Sequence, residues 1–340
     1  MRDLFQIVSM AIIADIMPLR DINRVMVQKG LEIFAKSNRP FARAYMQYCN
    51  IDRLRADDIA FGIAPILNSA GRMADASIAC DYLCSENIYE ARNLLQRLLE
   101  LNRERKKTES RITLEAIEMI SAEKKVQVLY SEDWHEGVLG IVASRVAEYC
   151  KTPAIILTKK TDIYKGSGRS YGSCRLFDLI NLHRELLNRF GGHDAAVGLS
   201  IAVDKIDDFV IELNNSAKIF CTQDKKNDNG IMGELPFSLI DFELYAVIER
   251  YEPYGEGNPK PLFFTRDVEI VSVMQIGREK NHLRLQLREG EKILNGVKFR
   301  IDKKEKDKYI VGERIDIVYR IGENIFRGEK TLQLVIESII

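Results

Sequence analysis

The 340-residue chain has no apolar run long enough to cross a membrane and no surplus of charge, 50 Lys and Arg standing against 50 Asp and Glu. The first absence excludes a membrane-spanning helix among these residues. The second excludes attachment to nucleic acid by bulk charge and leaves room only for a local basic groove. The six cysteines form no Cys-x-x-Cys pair. Cys80 and Cys84 lie one helical turn apart, which suits packing better than zinc, and reduced thiols in a cytoplasmic setting are expected. Met1-Arg2-Asp3-Leu4 opens into an apolar stretch that soon meets Asp15, which is not the layout of a secretory signal. Histidine is scarce, four in all, and there is one tryptophan, so their positions carry information. A chain of this length holds two or three domains with sizeable cores.

Two glycine-rich strings stand out, Gly166-Ser167-Gly168-Arg169-Ser170 and Gly191-Gly192-His193-Asp194-Ala195-Ala196, within one α/β pattern. Both read as turns. Glycine lets the backbone approach a ligand and adopt positive φ, so that successive N–H groups face an anion. Ser167, Arg169 and Ser170 add hydroxyl and guanidinium donors suited to phosphate, and His193 adds a ring nitrogen. The pair points to a site for a phosphate or phosphodiester. Two ordinary tight turns beside a strand are the alternative.

Elsewhere, Phe5 to Ile13 has a helical pattern that breaks at Pro18. Asp15, at the end of that element, is either a cap or partner of Arg20 or Arg24, or a metal ligand. A short helix follows from Asn23-Arg24 through Phe34. Residues 55–121 read as mostly helical, with Pro65, Asn68, Gly71 and Arg72 in one string. The amphipathic stretch from Ala76 to Ile120 has core leucines, and its Arg103-Glu104-Arg105-Lys106-Lys107 run reads as a solvated face. Such a long helix with little around it reads as a connector.

The α/β unit begins with a strand at Val126 to Tyr130, a turn holding Trp134 and a helix over Val138 to Tyr149. A strand at Ala154 to Leu157 follows. Helical spacing from Leu176 to Phe190 is capped at Gly191-Gly192, and a strand covers Val197 to Val203. His135 could reach an anion or close its turn, and His183 sits at a core edge. The polar string Asp224 to Gly230 reads as a linker. Beyond it, alternation over Val268–Val273, His282–Leu287, Lys292–Phe299, Arg314–Tyr319 and Thr331–Ile336 predicts a small closed barrel of the oligonucleotide-binding (OB) type. Arg284, Lys298, Arg320 and Arg327, with Tyr319 and Phe326, could supply charges and stacking rings for a single strand, or be ordinary surface residues.

Taken in order, these motifs resemble the RecJ single-strand-specific exonucleases of the DHH phosphoesterase superfamily through nearly the whole chain. Ile12 to Leu19 with Asn23-Arg24 is similar to that family's fourth motif. Pro65 to Arg72 is similar to its Asn-x-x-Gly-Arg motif, with Ile66 where many relatives carry Arg. Asp133-Trp134-His135-x-Gly137-Val138-x-Gly140-Ile141-Val142-Ala143-Ser144-Arg145 is specific to the family. Ser167 to Ser170 and Gly191 to His193 resemble the nucleic-acid-contacting motifs of its DHH-associated domain, and Glu252 to Pro259 the segment leading into its barrel.

The resemblance implies an α/β plus all-β chain. A remnant of the DHH catalytic domain would span 1–54, a helical connector 55–121, an α/β DHH-associated domain 122–222 and an OB-type barrel 231–340. It implies Mn²⁺- or Mg²⁺-dependent 5′-to-3′ hydrolysis of single-stranded DNA. Asp15 would ligate a metal, and Arg169 and His193 would act at the reaction centre. Asn68, Arg72, His135, Ser167, Gly168, Arg169, Ser170, Gly191, Gly192 and His193 would hold DNA or its phosphates. Single-stranded DNA is the implied partner, with a single-strand-binding protein and a helicase as companions and no membrane.

The departures from the family matter as much. Its Asp-x-Asp motif, a further aspartate and an Asp-His-His triplet all precede the fourth motif. This sequence has no His-His pair and no Asp-x-Asp. Holding two ions roughly 3.5–4 Å apart takes several carboxylates and histidines. The expectation is an incomplete nuclease, inactive by itself, with a non-catalytic single-strand-binding or scaffold protein as the alternative. A phosphodiesterase of small oligonucleotides or cyclic dinucleotides would need neither the barrel nor the long helix. Phe5, Ile7, Val8, Ile12, Ile13 and Ile16 are expected to lack partners that would bury them.

Overall fold

Prolines and left-handed residues bound the first helices. The computed structural model describes residues 4–221, 230–277, 280–301, 308–326 and 328–339. Helix α1 (Phe5–Ala14) ends at Asp15, ahead of Pro18, and α2 spans Asp21–Ala35. Helix α3 (Pro40–Cys49) has proline in its first turn and stops at Asn50, which is left-handed at φ 51°. A π-helical turn, Asp58–Ile63, runs into α4 (Ala64–Met73); α5 (Ser77–Cys84) and α6 (Ile88–Glu118) follow. Asn87 caps α6 by accepting the N–H of Glu90 at 2.9 Å.

The chain divides into two units, one of Met1–Ile33, Arg55–Asp57 and Asp228–Ile340, the other of Phe34–Leu54 and Asp58–Asn227. In the second, α6 buries Leu95, Leu98, Leu99, Leu101, Ile112 and Ala116, and packs on α3, α4 and α5. The expected long connector is therefore two helices, and α6 is a core element with neighbours along its length. Ser69 Oγ donates to Ile66 O at 2.6 Å and to Leu98 O at 3.3 Å, tying α4 to α6. Arg105, expected on a solvated face, is buried with Glu109, its Nη1 2.5 Å from Glu109 Oε2.

The sheet of this unit contains β1 (Gln127–Ser131), β2 (Ala154–Lys160), β3 (Ile163–Arg169), β4 (Leu187–His193) and β5 (Ala196–Ala202). Their order is β1-β2-β3-β5-β4, and only β1 and β2 are parallel. Helix α7 (Leu139–Cys150) covers one face with Val142 and Val146 against Leu129, Trp134 and Ile156. Helices α8 (Leu176–Asn181) and α9 (Ile206–Phe220) cover the other, with Leu179, Phe209 and Leu213 against Val128, Ile155 and Leu199. Burial of each such side chain stabilises the fold by roughly 1.5–3 kcal/mol.

Three expectations change here. The first glycine string, Gly166 to Arg169, lies in a strand and not a turn, while the second ends β4 and makes the Asp194-Ala195 turn into β5. The helical spacing after Leu176 ends at Asn181, because Leu187 to His193 pair with β5 and Phe190 packs on Phe177 with ring centroids 4.8 Å apart. Cys174 and Cys221 are joined in a disulfide rather than reduced, while Cys49, Cys80, Cys84 and Cys150 are free.

In the first unit, β7 (Leu262–Ile276), β8 (His282–Glu289), β9 (Lys292–Lys298), β11 (Glu329–Ile339) and β10 (Arg314–Phe326) pair in that order. The β10–β7 pairing closes the barrel, and β6 (Ile231–Glu234) adds to β7 in parallel. Val268, Ile270, Leu283, Leu285, Leu287, Ile317 and Ile336 fill its core beside α10 (Phe242–Arg250). Tyr319, expected as a stacking ring, is fully buried among them. Its hydroxyl donates to Leu235 O at 3.1 Å and lies 2.9 Å from Thr265 Oγ1. Arg320 pairs with Glu337 at 2.8 Å. Arg327, the side chain of Phe326, and 224–229 of the expected linker lie outside the described residues.

The Glu252–Pro259 string does more than lead into the barrel. It is a socket for the α1–α2 segment of the same unit. Leu19 N–H donates to Glu256 O at 2.7 Å, Arg20 Nε to Gly257 O at 3.0 Å, Arg24 Nη2 to Tyr251 O at 2.6 Å and Gln28 Nε2 to Glu252 O at 3.1 Å. Ile12 is buried with Leu19 and Val27, so the N-terminal apolar residues are partly partnered, although Val8 and Ile16 remain exposed.

Candidate functional site

Between β1 and α7, the chain turns through Asp133 to Val138. Trp134 anchors the turn, its ring buried and its Nε1 donating to Glu115 Oε2 of α6 at 2.8 Å. His135 closes it: Nδ1 accepts the Gly137 N–H at 3.1 Å, which fixes the ring beside a short 3-10 turn, Glu136–Val138. Gly137 is held by proximity, since a Cβ there would stand 2.0 Å from Arg72 O. The bare backbone thus lets the end of α4 lie on this loop, and Arg72 Nη1 completes the junction by donating to Gly137 O at 3.0 Å.

Strand β3 supplies the opposite wall. It is an interior strand, with N–H groups directed to β2 and β5, so the expected cradle of free backbone donors is not formed there. Its side chains are what remain. Ser167 and Arg169 point to the α7 face, where a Cβ on Gly140 would come 3.0 Å from Arg169 Nη2 and 3.6 Å from Ser167 Oγ. Arg169 Nη1 donates to Gly168 O at 2.9 Å.

Arg72, His135, Ser167 and Arg169 therefore line one cleft of about 730 Å³, with Glu132, Glu136, Lys159 and Lys160 on its walls. Each carboxylate is occupied: Glu132 pairs with Lys159, and Glu136 with Lys160 and Lys165. The lysine hydrogen bonds, from Lys160 first, hold the Glu136 carboxyl below the usual carboxylate range. Neither Arg72 nor Arg169 has a carboxylate partner among the described residues. Burial, and then the neighbouring Arg72 charge, loosen Arg169's hold on its proton. Two like charges partly withdrawn from water with no counter-ion make a site that favours an anion.

The second glycine string extends this wall. Ser167, Gly198 and Gly191 stand in one row across β3, β5 and β4, and Arg169, Ala196 and His193 in the next row on the same face. Two strand spacings separate Arg169 from His193, roughly 9–10 Å. Nothing lies within 4 Å of a Cβ built on Gly191. The sheet there is a bare floor leading from the cleft to its edge. Gly192 is a different case: at φ +145° it takes a backbone that side chains disfavour. His193 is exposed, its Nδ1 3.3 Å from the Ala195 N–H, and Ser170 Oγ donates to Asp194 O, holding the two strings together.

Other expected site residues fall elsewhere. Gly168 faces the opposite, apolar side against Leu176 and Val197. Asn68 is exposed on α4 and does not line the cleft. Ile66, at the position where an Arg was noted, is buried. Asp15 belongs to the other unit, exposed at the end of α1. No group of three His, Cys, Asp or Glu residues that could hold a metal ion exists among the described residues. An exposed single carboxylate does not fit the two-ion site described above, and no metal step is derived from it. Sequence reading missed Lys159, Lys160 and Lys165; the lysine pair ending an otherwise apolar β2 was the available signal.

The described folds match known families. Residues 123–218 fit the DHHA1 domain and 231–338 the RecJ OB domain. The chain is 31% identical to the single-stranded-DNA-specific exonuclease RecJ of Haemophilus influenzae, with 99% of this chain and 61% of that protein covered. With the Bacillus subtilis RecJ the values are 32%, 99% and 44%. The chain thus spans about three fifths or less of the length of these relatives. It superimposes on the crystal structure of Thermus thermophilus RecJ in complex with Mn²⁺ with a TM-score of 0.86 at 24% identity, covering 100% of this chain and 50% of that one. The Mg²⁺ complex gives 0.85 at 24%, covering 99% and 52%.

Proposed function

The chain belongs to the RecJ family over the portion it spans, and on that premise we propose that it is the strand-gripping part of a 5′-to-3′ single-stranded-DNA exonuclease serving DNA repair and recombination in the cytoplasm. The observation that carries the reading is the cleft: Arg72 and Arg169, unneutralised, beside Ser167 and His135, at the head of a bare glycine floor. Guanidinium and hydroxyl donors there suit a backbone or terminal phosphate. Gly191, Gly192 and His193 continue the path at the sheet edge. Hydrolysis in the family would draw on Mn²⁺ or Mg²⁺; the residues of the cleft would bind and orient the strand.

The test is binding of a 5′-phosphorylated and a 5′-hydroxyl oligonucleotide. Affinity should weaken with salt, as phosphate contacts release counterions. Arg169→Ala should weaken the phosphorylated ligand more; equal losses would leave only general backbone contact. A second reading, a non-catalytic single-strand-binding protein, is favoured by the OB-type barrel that the β10–β7 pairing closes, a fold that binds single strands. Accordingly, the chain assayed alone with Mn²⁺ should release no nucleotides. Robust release that Asp15→Ala abolishes would contradict both expectations.

A further inference from the structure

Behind the cleft lies a charge cluster that the binding reading does not use. Among the described residues, Glu109 is the only acid and Arg105 the only base in the buried class. Glu109 sits on α6 at 1% exposure and serves two arginines. Its Oε2 is 2.5 Å from Arg105 Nη1, and its Oε1 pairs with Nη2 of Arg145 on α7. Arg105 is further held by Asn102 Oδ1, which accepts its Nε at 3.1 Å and its Nη2 at 3.0 Å. Arg145 is half exposed and has Glu109 as its partner.

This cluster adjoins Arg72. Ser69 of α4 bonds to Leu98 of α6, and Arg72, three residues further along α4, is near enough to act on the Arg105 guanidinium of α6. The Arg105 guanidinium feels the charges of both Arg72 and Arg145, and Arg169 feels that of Arg72. Two guanidiniums, those of Arg105 and Arg145, thus share one buried carboxylate, and Arg72 adds a third like charge near Arg105. Removing a partner from a buried ion pair leaves an uncompensated charge in low dielectric. Here that charge would fall directly behind Arg72, whose anchorage in the cleft wall is one hydrogen bond to Gly137 O.

We infer that Glu109 is a positioning residue for the phosphate cleft: by neutralising Arg105 and Arg145 it keeps Arg72 seated on Gly137 and keeps Arg145 out of ligand binding. This rests on the cleft being a phosphate site. Two consequences follow from charge alone. Without Glu109, repulsion from Arg105 displaces Arg72, and the contact specific to a terminal phosphate is lost. Arg145, released, adds a non-specific contact to the strand backbone.

The experiment measures binding of 5′-phosphorylated and 5′-hydroxyl oligonucleotides to wild type, Glu109→Gln and the charge-balanced Glu109→Gln/Arg145→Gln across a salt series. Glu109→Gln should lose most of the preference for the 5′-phosphate. On the 5′-hydroxyl ligand, which has no terminal contact to lose, the slope of log affinity against log salt should steepen by about 0.7, one added single-strand phosphate contact. The double variant should recover the wild-type slope, since Arg145 is gone, while the preference stays lost, since Arg105 is still unneutralised; simple loss of packing would not split the two. A Glu109→Gln protein that keeps both wild-type values overturns the proposal. Where Glu109→Gln fails to fold, the double variant decides: folded with the wild-type slope and a reduced preference it supports the role, and any other result overturns it. A wild type that shows no end preference refutes the terminal-phosphate reading, and the slope still judges Glu109.

Discussion

In the α/β unit, Arg105 and Glu109 are buried together while Gly191 lies bare on the sheet. In the barrel the arrangement is reversed. Thr265 is the only polar residue in the buried class among its described residues, and its cations stay at the surface. Arg320 pairs with Glu337, Arg314 with Asp267, and Arg288 with Glu269. Arg284 is exposed beside Asn295, Asn324, Thr331 and Gln333 in a shallow pocket of about 270 Å³. A charge in bulk solvent is screened and contributes little, whereas one withdrawn from water acts strongly on its neighbours. The barrel's stability therefore resides in apolar packing, and the cleft's preference for an anion, on the proposed reading, would reside in a few desolvated charges.

The contrast can be tested in order of expected effect. Tyr319→Ala should destabilise the barrel by about 3–5 kcal/mol in urea unfolding, as loss of a buried ring does. Tyr319→Phe, which forfeits only the hydrogen bonds to Thr265 and Leu235, should cost about 1 kcal/mol. A Tyr319→Ala protein of wild-type stability that binds DNA poorly would instead return the ring to a stacking role. Next, Gly192→Ala should cost about 1–3 kcal/mol, since φ +145° is strained for any side chain. At Gly191 the same change should leave stability within about 0.5 kcal/mol yet reduce oligonucleotide binding. Equal stability losses at the two glycines would remove the distinction between a strained position and an open one.

Third, Arg72→Ala should weaken single-strand binding about tenfold, the loss of a charge-assisted bond, and Arg284→Ala about twofold. The opposite ranking would move the main grip to the barrel. The smallest effect concerns acid. The Trp134 hydrogen bond, then Arg111, hold the Glu115 carboxyl below its ordinary range, and Lys160 and Lys165 do the same for Glu136. A carboxyl whose folded value is depressed contributes stability that is present at neutral pH and lost as pH falls through that lowered value. The thermal unfolding midpoint should therefore decline below about pH 4, and Trp134→Phe should flatten that decline. An unchanged acid limb would show that the indole does not stabilise the ionised carboxylate.

The barrel was legible because alternation along a strand half buried in a core is a local signal. Its five paired strands each contain a stretch foreseen from the pattern. The joining of Arg72, His135, Ser167 and Arg169 was foreshadowed by the residue types, but their geometry was not. Glycine in Gly166 to Ser170 suggested turns, because composition cannot tell a turn from an interior strand whose neighbours crowd it. Arg105 sat in a run of charges that looks solvated in one dimension. Only its apposition to Glu109 and to α7 makes it internal. Tyr319 failed for the converse reason: an aromatic on an alternating strand fits either face, and closure of β10 onto β7 chose the inner one.

The glycine floor has a consequence for information. A surface without side chains offers a passing polymer no lock in which one monomer fits better than another. Any strand lying across Gly191 and Gly198 meets the same flat backbone whatever its letters. On the proposed binding role, what the α/β unit would sense there is where a chain ends and how much charge it carries. On that role, indifference to sequence would be written into this protein as two missing side chains.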